Sequence, residues 1–468
     1  MIAPARVAAL RAIRAVTKGQ ADLAAALHRV RPDIPDRRDR ALANEIVAGT
    51  LRWQGALDHL VQHFAQRPLS KVDPVVLDVL RLSVYQLIHL DRVPPSAVVS
   101  DAVDLTRSAG KRSAAGLTNA VLRAVLRAGP SLPLPAPPAR DAIAAVAHLP
   151  FGQWSSSLRQ DTLRFLSITQ SHPAWLVERW LGRYGYADTL AWTAFNNQPA
   201  PMTVLVNILR TTVEAATLAL YDRGIAVRPS LFAPHGLVVE HGNPLLTDLW
   251  ERGHILVQDE TSQLIAPLIR AVPGERLLDA CAAPGGKTVA LAAGLATHGL
   301  LVAGDLRSSR LALLSDTVTR CGAAAALVAH DLAVGSPFGR AFDAVLVDAP
   351  CTGLGTLRRD PEIRWRRQPG DLERLARLQT RMLRSAAATV RPGGRLLYAT
   401  CSSEPDENER VAEAFLSAEP DFRQAPLPVA ECLRPTARDT VISEAGHLRT
   451  YPHRHALDAF FAAAFRRR

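Results

Sequence analysis

The sequence has few cysteines, and their spacing excludes two common kinds of site. The cysteines are Cys281, Cys321, Cys351, Cys401 and Cys432. No two of them have the C-x-x-C spacing typical of zinc sites, and an odd number in a chain of 468 residues argues against a disulfide framework. We therefore expect no metal and reduced thiols. Cys321 and Cys432 are best interpreted as small buried hydrophobic residues.

Long apolar runs are also missing. No run reaches the ~18 residues that a membrane-spanning helix needs, and the first residues lack the apolar core of a signal peptide. These features predict a cytoplasmic protein without a membrane partner.

Lysine is scarce, although basic residues are abundant. Lysine occurs only at positions 18, 71, 111 and 287, whereas lysine and arginine together number 55 and the net charge is +11. This charge suits a polyanionic partner such as RNA, but a genome that favours arginine codons gives the same bias. A lysine at position 287, inside a glycine-rich turn, is therefore the more informative observation.

The chain divides into parts with different periodicity, which predicts a multidomain protein. Helical periodicity predominates over residues 1–128, and a proline-rich linker follows at 129–142. Residues 143–240 mix helical and strand patterns and predict a small α+β module. In residues 241–468, short apolar strands alternate with helices, which is typical of a Rossmann-like α/β domain with a doubly wound parallel sheet.

Three predicted strands of the last domain are followed by residues suited to chemistry. A glycine-rich turn, residues 281–288, follows the strand at 276–279, and Cys351 and Cys401 each follow an apolar run. The turn matches neither the dinucleotide-binding G-x-G-x-x-G pattern nor the phosphate-binding P-loop. Since ligands of open α/β sheets bind beyond the carboxyl ends of the strands, we expect both thiols to share one nucleoside-like site.

Two aspartates end further predicted strands of this domain. Asp305 could accept hydrogen bonds from a ribose diol, and Asp331 from an adenine amino group. Aspartate is also a common helix-capping residue, so either aspartate taken alone could serve only to cap a helix.

In combination, these motifs resemble a known family. The segments 279–288 (DACAAPGGKT), 348–351 (DAPC), 399–402 (ATCS) and 253–260 (GHILVQDE) are similar to the RNA cytosine-5 methyltransferases that use S-adenosylmethionine. The N-terminal segment, notably 93–95 (VPP) and 117–123 (LTNAVLR), resembles the NusB RNA-binding fold. Together they resemble the Sun/Fmu (RsmB) branch, which acts on 16S ribosomal RNA.

The resemblance implies a role for each site residue. Cys401 would add to carbon 6 of cytosine, Cys351 would assist release of the carbon 5 proton, Asp348 would bind the ring edge, and Lys287 would lie near the cofactor or base. The implied S-adenosylmethionine-binding residues are Cys281, Ala282, Ala283, Pro284, Gly285, Gly286, Lys287, Asp305, Asp331 and Asp348.

Other features leave alternatives open. The arginine-rich segment 357–384, with Trp365, could track RNA phosphates and stack a base; for its distal part, Arg374 to Arg384, a solvated helix is the alternative. The chain departs from the family pattern at Leu205, where arginine is usual, and at Ala459, where glycine is usual. We expect a monomer that methylates 16S rRNA; a tRNA methyltransferase and a non-catalytic RNA-binding assembly factor are the alternatives.

Overall fold

The computed structural model describes residues 2–296, 298–429, 433–434 and 440–468. The chain divides into two compact units, one formed by Met1–Gln198 with Leu357–Arg366 and the other by Pro199–Thr356 with Arg367–Arg468. The chain therefore passes between units after residues 198, 356 and 366. Cys432 lies outside the described residues.

The first unit is helical, as the periodicity of residues 1–128 predicts. Asp22, Asp36 and Asp73 cap three of its helices by accepting backbone N–H groups. Gly185, with a φ of 75°, interrupts the long helix at the end of the unit. Its α-helices are Pro4–Thr17, Leu23–Val30, Arg37–Arg52, Gln54–Ala65, Pro74–His89, Pro95–Ser108, Ala115–Ala128, Arg140–Val146, Ser156–Arg164, Ala174–Asn196 and Ile363–Arg366; the shorter turns are 3₁₀ segments Arg31–Asp33, Leu69–Lys71, Arg112–Ala114 and Phe151–Gln153, and a π segment Phe165–Thr169.

The proline-rich linker is extended and packs on this unit. Leu132 and Leu134 contact the apolar core of the N-terminal helices, and the carbonyl oxygen of Pro133 lies 2.9 Å from His59 Nε2. The predicted linker therefore lies against the helices.

The second unit begins with a four-stranded antiparallel sheet in the order β2-β3-β1-β4. Its strands are β1 (Thr203–Val206), β2 (Ala226–Pro229), β3 (Gly236–His241) and β4 (Ile255–Val257). The predicted α+β module, residues 143–240, does not coincide with this sheet, because residues 143–198 belong to the first unit and β4 lies beyond residue 240. The α-helices Val213–Tyr221 and Asp248–Glu251 and the 3₁₀ turn Pro244–Leu246 accompany it.

The larger sheet has the order β10-β12-β9-β8-β5-β6-β7, with β11 paired to β12. The strands are β5 (Arg276–Asp279), β6 (Leu300–Asp305), β7 (Ala326–Ala329), β8 (Phe342–Asp348), β9 (Val390–Thr400), β10 (Phe422–Ala425), β11 (Leu448–Arg449) and β12 (Phe461–Arg467). Strands β5 to β9 are mutually parallel, as predicted. Strand β12 runs antiparallel to β9, so the sheet is mixed rather than wholly parallel.

Helices and short turns flank this sheet. The α-helices are Glu260–Gln263, Gly286–Gly294, Ser308–Cys321, Pro369–Ala387, Glu409–Ala418 and Pro452–His455, with 3₁₀ turns at Ala266–Ile269 and Pro405–Glu407. A capping box between Gln368 and Asp371 starts the helix Pro369–Ala387. Fully buried Leu278, Val345 and Phe465 contribute to the core of the sheet.

Candidate active site at the ends of the parallel strands

The register of the parallel strands brings the predicted motifs to one edge. Asp279 of β5 pairs with Leu346 of β8, and Asp348 at the end of β8 pairs with Ala399 of β9. The glycine-rich turn, Cys351 and Cys401 therefore follow three adjacent strands. Strand β5 connects to β6 on one side and borders β8 on the other, which makes this edge the topological switch point where such sheets bind ligands.

Hydrogen bonds fix the glycine-rich turn, residues 281–288. Thr288 Oγ1 donates to Asp279 Oδ2 at 2.7 Å, and the Ala282 N–H donates to the Gly304 carbonyl at 2.8 Å. A Cβ at Gly286 would lie 3.1 Å from Cδ of Gln258, so this position favours glycine. The turn thus follows β5 closely and starts the helix Gly286–Gly294.

A cavity of about 370 Å³ opens beside this turn. The predicted site residues Cys281, Ala282, Ala283, Pro284, Gly286, Lys287 and Asp348 line it, together with Gln258 and Ser262. A volume in this range is typical of small-molecule sites. Asp305, Asp331, Cys351 and Cys401 do not line the cavity.

The two strand-ending aspartates have different surroundings. Asp305 is buried and accepts the Ala283 N–H at 3.2 Å, while Arg310 Nε lies 3.0 Å from its Oδ1. Asp331 is exposed and accepts the Ala333 N–H at 2.9 Å. Asp305 therefore contacts the turn directly, whereas Asp331 stands one strand further out.

Lys287 is tied to Asp348 across the cavity. Its Nζ lies 2.7 Å from Asp348 Oδ2 and 2.9 Å from Ser262 Oγ. Burial acts to lower the pKa of Lys287, but the Asp348 carboxylate outweighs burial and raises that pKa above its ordinary value. Lys287 is therefore a cation at neutral pH and joins the turn to the end of β8.

The two thiols meet, with Cys351 Sγ 3.3 Å from Cys401 Sγ. Both residues are half-buried, and none of the described cysteines forms a disulfide. The hydrogen bond with Cys401, burial and the nearby Glu407 charge raise the pKa of Cys351 well above its ordinary value. Cys351 therefore remains a thiol that can donate its proton toward Cys401.

Cys281 and Cys321 have different surroundings. Burial and the Asp348, Asp279 and Asp305 carboxylates raise the pKa of Cys281 well above its ordinary value, so it stays an inert thiol in the cavity wall. Cys321 is fully buried, which confirms its interpretation as a small hydrophobic residue.

The arginine-rich segment corrects one expectation. Arg364 is fully buried, and Trp365 Nε1 donates to the Leu51 carbonyl at 2.8 Å within the helical unit. The buried Arg364 is therefore not available to track phosphate, whereas Trp365 is half-buried and anchored within the helical unit. Further along, Arg374 and Arg377 pair with Asp371 and Glu373 on the exposed face of the helix Pro369–Ala387, as the solvated-helix alternative predicts.

The two departures from the family pattern have local explanations. Leu205 is buried with Leu256, Val289 and Cys321, an apolar cluster in which an arginine would lose its hydration. Ala459 donates its N–H to the Gly355 carbonyl at 2.9 Å.

Gly355 connects Ala459 to the thiol pair. It donates its own N–H to the Cys401 carbonyl at 2.9 Å, and a Cβ at Gly355 would lie 1.9 Å from the Ala459 carbonyl oxygen. Ala459 therefore supports the cysteine loops, a role that the sequence pattern did not indicate.

Sequence patterns also missed several supporting residues. Gln258 and Ser262 line the cavity, and Glu407 hydrogen-bonds the residues that follow both cysteines. Gln258 lies in the segment 253–260 that shares the family resemblance, but no role was assigned to it there, and Glu407 belongs to a charged run that looks like a solvated turn.

The residues present fit a nucleoside cofactor. Gln258 lines the cavity, and its Oε1 is buried and has no hydrogen-bond partner among the described residues. Buried oxygens of this kind normally have donors. Burial raises the pKa of Asp279 to about 6. A ligand rich in N–H and O–H groups would suit this cavity.

Family models match three parts of the chain. The model described as "16S rRNA methyltransferase RsmB/F" matches residues 266–466, a NusB family model matches 3–127, and the RsmF/B-like ferredoxin-like domain model matches 172–245. The fold, the glycine-rich turn and these matches define an S-adenosylmethionine-dependent methyltransferase.

Full-length relatives identify the family. The chain is 32% identical to a probable ribosomal RNA small subunit methyltransferase B of Bacillus subtilis, over 92% of this chain and 91% of that protein. It is 35% identical to ribosomal RNA small subunit methyltransferase B of Pseudomonas putida, over 94% and 96%. The chain belongs to the RsmB/F methyltransferase family.

Solved structures have the same fold. The structure named PH0851 has a TM-score of 0.79 and 26% identity, covering 99% of both chains. A methyltransferase homolog from Pyrococcus horikoshii has a TM-score of 0.56 and 27% identity, covering 67% of this chain and 100% of that one. Among the described residues, no helix is long and apolar enough to cross a membrane, and no group of side chains is arranged to hold a metal ion.

Proposed function

We propose that the protein methylates carbon 5 of a cytosine in 16S rRNA through a covalent bond from Cys401 to carbon 6. The Sγ–Sγ distance of 3.3 Å between Cys351 and Cys401, next to the Lys287–Asp348 pair, carries this proposal. A non-catalytic RNA-binding factor has no need for two thiols in contact.

The names of the relatives and the net charge of +11 support small-subunit ribosomal RNA as the substrate. We further propose that the protein acts as a monomer in the cytoplasm. The target cytosine must leave its stack or be unpaired, because both faces of carbon 6 are covered in a stacked base.

S-adenosylmethionine, when bound, supplies an electrophilic methyl group on a sulfonium sulfur. We assign its binding to the turn residues Cys281–Lys287 and to Asp348. All of these residues except Gly285 border the 370 Å³ cavity. Asp305 would accept from the ribose hydroxyls and Asp331 from the adenine amino group.

Cys401 begins the reaction as a thiolate that adds to carbon 6. A C–S bond forms, and the electron pair of the C5–C6 double bond moves onto carbon 5, which is otherwise a poor nucleophile. Carbon 5 then takes the methyl group, and the electron pair of the broken S–CH₃ bond stays on the cofactor sulfur. Asp348 binds the polar edge of the base while Lys287 holds that carboxylate in place.

Cys351 acts after methyl transfer. The strongest cause of its raised pKa is the hydrogen bond with Cys401, and this contact is altered once the Cys401 sulfur is bonded to carbon 6. Cys351 can then release its own proton to water and take the proton from carbon 5. The C5–C6 double bond re-forms, the C–S bond breaks, and Cys401 leaves as a thiolate.

Replacing each cysteine tests this order of events. Cys351→Ala is expected to accumulate a covalent protein–RNA adduct, visible as a slow band on a denaturing gel with labelled RNA. Cys401→Ala and the double variant are expected to form none and to lose methyl transfer, whereas Cys321→Ala should behave as wild type. An adduct that persists without Cys401 would show that the two roles are exchanged or the mechanism is different.

The substrate class needs a separate experiment. Bisulfite sequencing of ribosomal and transfer RNA from a deletion strain should show one 5-methylcytosine signal lost from 16S rRNA. Loss from a transfer RNA instead would favour the tRNA alternative.

A further inference from the structure

A single carboxylate joins the two loops that carry the thiols. Thr352 directly follows Cys351, and Ser402 directly follows Cys401. Glu407, at the end of the 3₁₀ turn Pro405–Glu407, reaches both of these residues. The chemistry proposed above does not use Glu407.

Among the described residues, the hydrogen bonds of this carboxylate are all accepted from donors. Oε1 accepts the Thr352 N–H at 2.8 Å and Gln379 Nε2 at 3.0 Å. Oε2 accepts Thr352 Oγ1 and Ser402 Oγ, each at 2.5 Å. An ionised carboxylate offers about four such acceptor positions, so these four hydrogen bonds occupy all the acceptor positions of Glu407.

All members of this cluster are buried. Glu407, Thr352, Ser402 and Gln379 have no exposed surface. Burying a carboxylate is unfavourable, and apolar residues could hold two loops together with less desolvation. Its presence beside the thiol pair therefore indicates a demand for fixed geometry.

We propose that Glu407 is a positioning residue that sets the separation of Cys351 and Cys401 by bonding the residue after each of them. This inference rests on the proposed function, because it assigns Glu407 to the same reaction. Carbon 5 and carbon 6 are neighbouring atoms of one ring, so the two thiols must stand in a fixed relation to act on them in turn.

Neighbouring contacts hold one of the loops in the same way. Asn408 Oδ1 accepts Thr400 Oγ1 at 2.5 Å, and Asn408 Nδ2 donates to the Ser402 carbonyl at 2.9 Å. These bonds enclose Cys401 from both sides along the chain. Between the loops, Thr352 Oγ1 lies 3.3 Å from Ser402 Oγ and the Gly355 N–H donates to the Cys401 carbonyl at 2.9 Å, and Glu407 Oε2 accepts from both Thr352 and Ser402. Removal of the Glu407 side chain should therefore change the distance between the two cysteine loops more than it changes the conformation of either loop.

Kinetics of substituted enzymes test the proposal. Glu407→Ala is expected to lower kcat about tenfold to a hundredfold, because misplaced reacting groups lower a rate by this factor. KM for a 16S rRNA transcript and the affinity for S-adenosylmethionine should stay within about twofold of wild type. Glu407→Gln keeps one carbonyl oxygen for the N–H donors and should retain intermediate activity.

A buried carboxylate elsewhere provides the matched control. Asp343, at the opposite end of β8 and roughly 16 Å from Asp348 along the strand, accepts the Arg276 N–H at 2.7 Å and pairs with Arg391. Asp343→Asn should lower stability with kcat within about twofold of wild type. Equal losses of kcat in Asp343→Asn and Glu407→Gln would overturn the positioning role.

Thiol cross-linking measures the geometry without any turnover. Diamide removes two electrons and two protons from two nearby thiols, so that an S–S bond forms while diamide is reduced to its hydrazine. The rate of Cys351–Cys401 cross-linking, followed by peptide mass spectrometry, should fall several-fold in Glu407→Ala and stay unchanged in Asp343→Asn.

The two readouts separate the proposals. If wild-type protein methylates no cytosine, the proposed function fails while the cross-linking result still reports on Glu407. If Glu407→Ala is folded by circular dichroism and cross-links at the wild-type rate, the positioning role is wrong. If Glu407→Ala does not fold, Ser402→Ala and Thr352→Val replace it, and wild-type kcat and cross-linking in both would refute the proposal.

Discussion

Glu362 offers a pH test of how the segment Leu357–Arg366 joins the helical unit. Its carboxyl group is 2% exposed, and Oε1 accepts the Leu23 N–H at 2.9 Å. Oε2 is buried without a hydrogen-bond partner among the described residues. Burial raises the pKa of Glu362 from 4.5 to about 7.

The sign of the expected effect follows from proton binding. Between pH 4.5 and about 7 the folded protein keeps the Glu362 proton and the unfolded chain releases it. The stabilisation is therefore complete below pH 4.5 and is lost as the pH rises through about 7. Because one pKa unit corresponds to ~1.36 kcal/mol, the free energy of unfolding should fall by roughly 3 kcal/mol as the pH rises from 4.5 to about 7.

Urea unfolding followed by tryptophan fluorescence provides the assay. All tryptophans except Trp250 lie in the helical unit, so the signal reports mainly on that unit. Wild type should be less stable at about pH 8 than at about pH 5, and Glu362→Gln should lose this particular difference. Glu373→Gln, whose side chain is 77% exposed, is the control. An identical pH dependence in wild type and Glu362→Gln would refute the reasoning.

Three further predictions follow from contacts already described. Arg364→Met should lower the free energy of unfolding of the helical unit by about 3–5 kcal/mol in urea titrations. The reason is that buried carbonyl oxygens, such as that of Ser171 at 2.9 Å from Arg364 Nη1, lose their donor. An unchanged unfolding midpoint would contradict this role. Asp305→Ala should weaken S-adenosylmethionine binding by about 1–3 kcal/mol in calorimetry, since a charged acceptor is lost, and an equal affinity would reject its ribose contact. Deleting residues 1–128 should weaken RNA binding, measured by fluorescence anisotropy at several salt concentrations. The same deletion should expose Trp365 and shift its fluorescence emission to the red. Equal RNA affinity together with unchanged emission would argue against both effects.

Much of the geometry of the candidate site could be predicted because its signals are local. The turn at 281–288 and the cysteines at 351 and 401 each follow an apolar strand, and parallel strands necessarily bring such ends to one edge. The NusB-like helices are likewise visible as periodicity. These predictions required no knowledge of contacts distant in sequence.

Other features could not be predicted because they depend on contacts between parts of the chain that are distant in sequence. Arg364 and Trp365 look like nucleic-acid ligands in an arginine-rich segment, but their partners lie more than a hundred residues away. Glu407 stands in a charged run and shows its role only when both cysteine loops are folded. Strand β12 pairs antiparallel with β9, and no nearby turn signals that pairing.

The return of residues 357–366 to the helical unit bears on how the protein is made. A ribosome completes Gln198 before residues 199–356 and only then supplies Arg364. At about 5–20 residues per second, the helical unit waits roughly ten to thirty seconds for its last segment. During that interval the carbonyl groups that Arg364 later binds must be hydrogen-bonded to water or to other donors, so the helical unit cannot reach its final structure before Arg364 has been synthesised.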